Sequence, residues 1–372
     1  MKFAYNDEQL ALQDALKSYF GSNVSKQLVR NCFENEDISK RGIKFELYEN
    51  LRNELGLTSL IVDEQFGGYG ASDLELSIAL EQHGYYLVPS PLRTHSNATI
   101  LVTECASEEE KAKLLPILST GEEIATIVTE SQSNINLDKS TNTIDGEISK
   151  VVFGNASKYL FFVHDGELIQ VDLEQKNIHR EFQPSIDPTL PLTKLLFQNS
   201  EYRIISNSNI AKKYETAIAR MTILLCSEMV GGANASFDMA LEYSKERKQF
   251  GRTIGSFQST KHKFAQMLLE LESAKSVTQY GAWLSSIQGT TKQDEYSTDS
   301  HDDELVHVAS MAKYYVTKMF SHIVGENIQI QGGIGFTYEH DAHIYFKRAA
   351  FNAVELGSAS EHSKVLAKRI FS

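Results

Sequence analysis

The residues best suited to chemistry form a cluster of positive charge in an acidic chain. The chain has 372 residues and a formal charge of −13 at pH 7. Between positions 245 and 263, here called the basic corner, six residues are Lys or Arg and only Glu246 is acidic. Gly251 and Gly255 lie in this segment and allow a ligand to come close to the backbone. The pattern predicts a bound anion; the alternative is a solvated helix corner without a ligand.

A second segment of this kind has the sequence Gln-Ile-Gln-Gly-Gly-Ile-Gly-Phe at residues 329–336, here called the glycine turn. Its glycines would expose backbone amides to a ligand. A Gly-Gly-x-Gly sequence alone is weak evidence, because glycines also simply turn a chain. Its place between two helical patterns, together with the basic corner, makes it a better candidate for a binding site.

Long helices must position both segments. Apolar residues recur at helical spacing over three stretches, which are Ile210 to Ser244, about Thr260 to Ile287, and roughly Leu305 to Gln329. A further helix passes through Tyr345 and Arg348, and a capping box at 358–361 begins the last one. The polar, acidic residues 289–304 are predicted to be an exposed loop. Long antiparallel helices joined by short turns predict a four-helix bundle in residues 206–372.

The preceding residues divide into a helical and a β region. In residues 1–120, helices are predicted from Glu8 to Leu28, from Lys44 to Leu55, from Ser72 to about His83 and from Ser107 to Leu118. Residues 121–205 are rich in β-branched side chains, with hairpin signals at Asp145-Gly146 and Asp165-Gly166. Leu195 to Phe197 is predicted to be a closing strand. The fold class is therefore α+β and multi-domain, with an N-terminal helical domain, a middle β-barrel-like domain and a C-terminal four-helix bundle.

Composition excludes several classes of protein. The acidic balance argues against nucleic acid as a partner. No apolar run is long enough to span a membrane, and the first residues lack the apolar run of a secretion signal. The three cysteines are too widely spaced for a disulfide framework or a zinc site, and the histidines show no metal-ligand spacing. A reducing, cytoplasmic location and no bound metal are expected.

The order of these motifs resembles that of the acyl-CoA dehydrogenase family along nearly the whole chain. Residues 243–251, Tyr-Ser-Lys-Glu-Arg-Lys-Gln-Phe-Gly, together with Phe257-Gln258, look like the family's flavin corner. The glycine turn looks like its second flavin motif. Residues 56–70, from Gly56-Leu57 to Phe-Gly-Gly-Tyr-Gly, resemble its N-terminal domain.

The resemblance implies FAD as the cofactor and at least a dimer, since in this family the corner and the Gln-Gly-Gly motif serve one cofactor from different subunits. FAD carries a pyrophosphate, to which the Arg247 guanidinium and the Gln258 amide could donate hydrogen bonds. Arg247 could instead pair with Glu246 or Glu242. The residues implied to contact the cofactor are Thr129, Arg247, Lys248, Gln249, Phe257, Gln258, Gln329, Gln331, Gly332, Gly333 and Ser358.

The implied reaction is α,β-desaturation of an acyl-CoA thioester, in which a carboxylate takes the α-proton. The family's usual base is a Glu directly before a Gly in the turn before the last helix. Here Leu356 occupies that place, and Glu355 is the nearest acid and the candidate base. The family's alternative position corresponds to Met221, which cannot take a proton. Glu228, two helical turns further on, is expected to be structural.

The β region departs from the family as well. Its usual Thr-Glu-Pro sequence corresponds to Thr129-Glu130-Ser131, so the proline is lost. Such losses resemble the bacterial branch that acts on sterol-type or other bulky acyl chains, where some members work as mixed tetramers with one subunit lacking the base.

Three hypotheses remain open. The chain is an FAD-dependent dehydrogenase that uses Glu355, a non-catalytic, flavin-sharing subunit of a hetero-oligomeric dehydrogenase, or a flavin monooxygenase on the same fold. The expected partners are an acyl-CoA, a homodimer, homotetramer or heterotetramer, and an electron-transfer flavoprotein. The sequence does not distinguish among acyl chains.

Overall fold

The computed structural model describes residues 5–129, 134–207, 210–287 and 298–371. The chain divides into two compact units. The first contains Met1–Lys26, Asp73–Val88 and Thr222–Ser372, and the second contains Gln27–Ser72 and Pro89–Met221. Each unit is therefore assembled from separate stretches of sequence. The predicted domain boundaries at residues 120 and 205 stay a prediction.

Helices and strands follow the predicted order of helical, β and helical regions. The helices are α1 (Asp7–Asn23), α2 (Lys26–Phe33), α3 (Phe45–Asn53), α4 (Asp73–Tyr86), α5 (Leu92–Cys105), α6 (Glu108–Thr120), α7 (Ala211–Glu246), α8 (Gln258–Ile287), α9 (Thr298–Gln331), α10 (Ala342–Asn352) and α11 (Ala359–Phe371). The strands are β1 (Ala125–Val128), β2 (Ile135–Asp138), β3 (Thr143–Val152), β4 (Tyr159–His164), β5 (Glu167–Asp172), β6 (Ile178–Gln183), β7 (Leu192–Glu201), β8 (Arg203–Ile204), β9 (Lys248–Gln249) and β10 (Arg252–Thr253).

The first unit is helical, and its helices approach closely where glycines lie. A Cβ atom on Gly84 of α4 would lie 2.0 Å from the Glu228 carbonyl oxygen of α7. A Cβ atom on Gly231 of α7 would lie 1.8 Å from the Glu81 carbonyl oxygen of α4. Only glycine permits this approach of the two backbones. In the described part of the chain, no helix has an apolar stretch long enough to cross a bilayer.

Helices α8 and α9 run antiparallel and are joined by polar pairs along their length. The Tyr280 hydroxyl donates to Glu304 at 2.6 Å, His322 contacts Glu270 at 2.7 Å, and Lys263 pairs with Glu326 at 2.6 Å. The start of α8 therefore lies beside the end of α9. This pairing brings the basic corner and the glycine turn to the same end of the helix pair.

Two predicted helix boundaries are wrong in this region. The expected helix from Glu8 to Leu28 is interrupted, because α1 ends at Asn23 and α2 begins at Lys26. The Asn23 amide donates to the Tyr19 carbonyl at 2.8 Å, a local bond that competes with continued helix. The loop predicted for 289–304 is helical from Thr298 onward, and its residues 289–297 lie outside the described part.

The second unit contains two four-stranded sheets, in the orders β1-β4-β5-β8 and β2-β3-β7-β6. β1 pairs with β4 in parallel, and the other strand pairs described in these two sheets are antiparallel. Within the described residues each sheet has two end strands, so the barrel-like middle region is two sheets and not one closed barrel. Apolar side chains from both sheets, among them Ile148, Phe162 and Leu195, share one core.

The two Asp-Gly signals have different outcomes. Asp165 and Gly166 join β4 to β5 with positive φ angles of 49° and 76°, so this hairpin is confirmed. Asp145 and Gly146 instead lie inside β3, where the register shifts against β7, so the second hairpin is wrong. A Cβ atom on Gly146 would lie 2.1 Å from the Asn134 carbonyl oxygen, which explains the glycine at this bulge.

The strand predicted at residues 195–197 is confirmed. It lies within β7, which pairs with β3 on one side and β6 on the other. Helix α5 has no counterpart among the predicted helices. Its buried residues include Arg93, His95 and Asn97, so it lacks the polar and apolar faces that predict a helix.

Candidate functional site

The basic corner is a tight reversal between α7 and α8. Strands β9 and β10 pair Gln249 with Arg252 and Lys248 with Thr253. Phe250 and Gly251 form the turn between them, with positive φ angles of 50° and 79°. The Ile254 N–H donates to the Arg247 carbonyl at 2.8 Å and closes the loop. The corner therefore presents its side chains from a small hydrogen-bonded ribbon.

The side chains of Arg247, Lys248, Gln249 and Gln258 are all exposed. Within the described residues, Arg247 pairs with neither Glu242 nor Glu246. Lys245 bonds to Glu242 instead, at 2.6 Å. The geometry thus does not support local pairing of Arg247, and its guanidinium points to no carboxylate of the corner. This donor set suits an anionic ligand such as a phosphate.

Aromatic rings form the other part of the corner. The Arg252 guanidinium stacks over the half-buried Phe257 ring at 4.0 Å from its centroid. Phe250 packs edge-on against Phe257, with ring centroids 6.3 Å apart. Phe250 itself is 92% exposed. A large apolar side chain so exposed, beside a basic ribbon, indicates a surface that another molecule covers.

The glycine turn exposes backbone rather than side chains. Gln329 is exposed near the end of α9, and Gly332 and Gly333 are exposed in the 3₁₀ turn that follows. A Cβ atom built on Gly332 or Gly333 meets no atom within 4 Å, and Gly332 has a φ of 65°. The backbone here is open to a ligand.

Gln331 does not share this exposed surface. Its side chain is buried, and its Nε2 donates to the Asn327 Oδ1 at 2.9 Å. Its amide therefore bonds within the helical unit, whereas Gln329 is exposed, and the expected contact of Gln331 with a cofactor stays a prediction. The difference follows from helix geometry, since residues two apart on α9 project about 200° apart.

The candidate base lies in the turn between α10 and α11. Glu355 is half-buried in this turn, residues 353–357, and is not part of a helix. Leu356 and Gly357 both have positive φ angles, 55° and 97°. The left-handed conformation is unusual for leucine. The Leu356 carbonyl accepts a hydrogen bond from His362 Nε2 at 2.9 Å.

Ser358 begins the last helix as predicted. Its N–H and its hydroxyl both donate to Glu361 Oε2 at 2.7 Å, and the Glu361 N–H donates to Ser358 Oγ at 3.3 Å. This is the predicted capping box. Because the hydroxyl proton is used in the cap, Ser358 could contact a cofactor only as an acceptor or through its backbone.

The other candidate positions for a base are not suited to proton transfer. Met221 is fully buried. Glu228 is 2% exposed, and its Oε1 accepts from Arg348 at 2.8 Å and lies 3.3 Å from His83 Nδ1. A carboxylate held by a buried arginine is stabilised in its charged form. These contacts favour the expected structural role of Glu228, which stays a prediction.

Thr129 directly follows β1 in the second unit. Glu130, the next residue of the sequence that resembles the family's Thr-Glu-Pro, lies outside the described residues. The Thr129 carbonyl accepts a hydrogen bond from the Tyr214 hydroxyl at 3.2 Å. Burial raises the pKa of Tyr214 to about 12, so this hydroxyl stays a donor at neutral pH. β1 is also held at its start, where the Ala125 N–H donates to His95 Nδ1 at 3.2 Å.

Three residues that shape these segments, His362, Tyr214 and His95, were not found from the sequence. Their contacts join positions far apart in the chain or depend on the direction of a side chain, and neither is visible in the sequence. Only the helical capping pattern near His362 gave a local signal.

Comparisons with known proteins agree with this arrangement. The model of the acyl-CoA dehydrogenase N-terminal domain matches residues 6–122, and that of the C-terminal domain matches residues 213–371. Acyl-CoA dehydrogenase IpdE2 of Mycolicibacterium smegmatis is 28% identical over 368 residues, which cover 98% of this chain and 100% of the relative.

Solved structures share the fold. Butyryl-CoA dehydrogenase from Megasphaera elsdenii has a TM-score of 0.84 at 19% identity and covers 100% of both chains. A chain of the ChsE4-ChsE5 complex from Mycobacterium tuberculosis has a TM-score of 0.84 at 17% identity, over 100% of this chain and 99% of that one. At these identities the likeness concerns the fold.

Proposed function

The chain belongs to the acyl-CoA dehydrogenase family, and from that premise we propose that it binds FAD and desaturates an acyl-CoA thioester between Cα and Cβ. The observation that carries this proposal is the placement of two open segments at one end of the α8 and α9 pair. One is the ribbon with Arg247, Lys248 and Gln249, and the other is the exposed backbone at 332–333.

The residues present fit a flavin dinucleotide. Arg247 and Lys248 supply positive charge for a pyrophosphate, Gln258 supplies an amide, and the 332–333 backbone permits close approach. Bound FAD supplies the acceptor for the hydride that leaves Cβ. The resemblance to the family implied that the corner and the glycine turn come from different subunits. Their placement at one end of a single helix pair allows one protomer to present both.

Glu355 is the proposed base. Its carboxylate would take the proton from Cα, and Glu355 itself is half-buried, which shields the carboxylate in part from bulk water. Glu355 precedes the family's usual base position by one residue. In a helix this offset would rotate the side chain by about 100°, but in a turn the backbone can still direct the side chain toward a substrate.

The test is anaerobic flavin bleaching by a panel of acyl-CoA esters. The flavin of the wild-type protein should bleach with at least one ester. In Glu355→Gln the rate of bleaching should fall by a factor of about 100 or more, the scale of general-base catalysis. Glu181→Gln, at an exposed position on β6, is the matched control and should keep the wild-type rate. Unchanged bleaching in Glu355→Gln would exclude Glu355 as the base.

A second candidate is a flavin-sharing subunit without its own base. Leu356 at the usual base position and buried Met221 at the alternative one favour it. The neighbour solved as the ChsE4-ChsE5 complex shows that the fold occurs in a complex of two named chains. Under this proposal the protein bleaches only with a related subunit, and Glu355→Gln has no effect on the complex.

We also propose that the protein forms at least a dimer and passes electrons to an electron-transfer flavoprotein. Large apolar side chains are exposed in both cofactor segments, Phe250 in the basic corner and Phe336 in the glycine turn, and Leu269 is exposed on α8. Such groups on the surface of a monomer indicate association. The acceptor is proposed from family membership, and titration of reduced protein with an electron-transfer flavoprotein tests it.

A further inference from the structure

We infer that His362 and Ser310 clamp the turn at 353–357 and that His362 is a positioning residue for Glu355. The inference rests on the proposed role of Glu355. The clamp joins three elements of the first unit, because Ser310 lies on α9, His362 lies in the first turn of α11, and the turn connects α10 to α11.

Both ring nitrogens of His362 are engaged. Nε2 lies 2.9 Å from the Leu356 carbonyl oxygen, and Nδ1 lies 3.2 Å from Ser310 Oγ. A carbonyl only accepts, so Nε2 carries the proton, and the Ser310 hydroxyl donates to Nδ1. The ring also packs directly on the turn, since a Cβ atom on Gly357 would lie 2.9 Å from His362 Nε2. The carbonyl so held belongs to the residue directly after Glu355.

A buried lysine holds the start of the same turn. Lys313, one helical turn beyond Ser310 on α9, is fully buried, and its Nζ donates to the Asn352 carbonyl at 2.7 Å. Asn352 is the last residue of α10, where a cation is favoured by the helix dipole. The turn is thus attached to α9 at Asn352 and, through His362, at Leu356. Glu355 lies between the two attachments.

The charges near His362 favour its neutral form. Burial lowers the pKa of the imidazole, and the Lys313 ammonium lowers it as well, against the opposing effects of the Leu356 carbonyl and the Glu361 carboxylate. A neutral ring with one donor and one acceptor matches the two bonds observed.

The inference predicts a change in the turn itself, independent of catalysis. Hydrogen exchange at residues 353–358 should be roughly tenfold faster in His362→Ala, the scale of one lost hydrogen bond. His362→Gln keeps an amide donor for Leu356 and should restore slow exchange. Ser310→Ala should have a smaller effect. His322→Ala, which removes an exposed histidine bonded to Glu270, is the matched control and should leave this segment unchanged.

The kinetic readout separates positioning from folding. In His362→Ala the rate of flavin bleaching at saturating acyl-CoA should fall by about tenfold with little change in KM, and His362→Gln should recover most of it. Wild-type exchange at 353–358 in both His362→Ala and Ser310→Ala would overturn the clamp. If Glu355→Gln bleaches normally, the proposed base fails, while the exchange experiment still decides whether the clamp exists.

Discussion

His95 is a fully buried imidazole whose two nitrogens are both used. Nε2 donates to the Leu118 carbonyl at 2.8 Å, and Nδ1 accepts from the Ala125 N–H at 3.2 Å. Only the neutral ring can make both bonds. Burial lowers the pKa of His95 to about 4. The residue thus ties β1, which leads to Thr129, to helices α5 and α6 in a way that depends on pH.

This predicts a loss of stability in mild acid. Because the folded pKa lies below the ordinary value of 6.5, the unfolded state binds the proton more strongly, and stability falls as pH drops from about 6.5 toward 4. From this residue the loss in the free energy of unfolding should reach about 2 kcal/mol at pH 5. Urea unfolding at pH 7 and pH 5 measures it.

The control for this prediction is His95→Gln, whose amide can donate and accept without titrating. Its stability should change less than that of the wild type between the two pH values. An equal decrease in both proteins would show that other groups cause the acid sensitivity.

Arg247 should contribute more to FAD binding than its basic neighbour Lys245. Arg247→Ala should weaken FAD affinity by about tenfold to a hundredfold, because charge-assisted hydrogen bonds to phosphate are worth about 1.5–3 kcal/mol. Lys245 bonds to Glu242, so Lys245→Ala should change the affinity by less than about threefold. Flavin fluorescence titration measures both, and equal effects would contradict a specific role for Arg247.

At the scale of elements, the crossing of α4 and α7 sets the packing of the helical unit. Gly231→Ala should lower the free energy of unfolding by about 1–3 kcal/mol, because the added methyl group meets the Glu81 carbonyl at 1.8 Å. Gly325 on α9 is the matched control, since a Cβ atom there meets nothing within 4 Å. Gly325→Ala should be neutral or stabilising by up to about 1 kcal/mol.

Urea midpoints of the two variants test this prediction. Equal midpoints would contradict it, because they would mean that α4 and α7 can move apart without loss of stability despite their close approach at Gly84 and Gly231.

Elements whose sequence carries a local signal were predictable. The capping box at Ser358, the Asp165-Gly166 hairpin and the long helices α7 and α8 follow from residue type and spacing alone. Helix α5 was not, because it buries polar residues such as Arg93 and Asn97 and so lacks an apolar stripe. The Asp145-Gly146 bulge was not predictable either, since only the approach of Asn134 reveals the need for glycine.

The candidate site was also predictable only in part. The basic corner and the glycine turn were visible as motifs, and the structure places both at one end of a helix pair. The inward direction of Gln331 and the histidine that holds the Glu355 turn depend on packing between distant residues. Motif spacing therefore identifies the segments, and packing determines which of their side chains face a ligand.

At the scale of the whole molecule, exposed apolar side chains predict association. Leu269 on α8 is 63% exposed and Phe336 beside the glycine turn is 78% exposed. Leu269→Lys combined with Phe336→Ser should shift the protein toward monomer, because a buried charge in an interface costs several kcal/mol. Light scattering with size-exclusion chromatography measures the mass.

The control for association is Ile186→Lys, at an exposed apolar position of the other unit, 57% exposed. It should leave the mass of the assembly unchanged. A monomeric wild-type protein would contradict the proposed interface.

The most direct test of the account is anaerobic titration of the FAD-loaded protein with acyl-CoA esters, first alone and then with a related subunit. We predict that FAD binds, that at least one ester bleaches its absorbance, and that Glu355→Gln abolishes the bleaching of the protein alone. A protein that fails to bind FAD in either state, or a flavin that no acyl-CoA reduces, would contradict it.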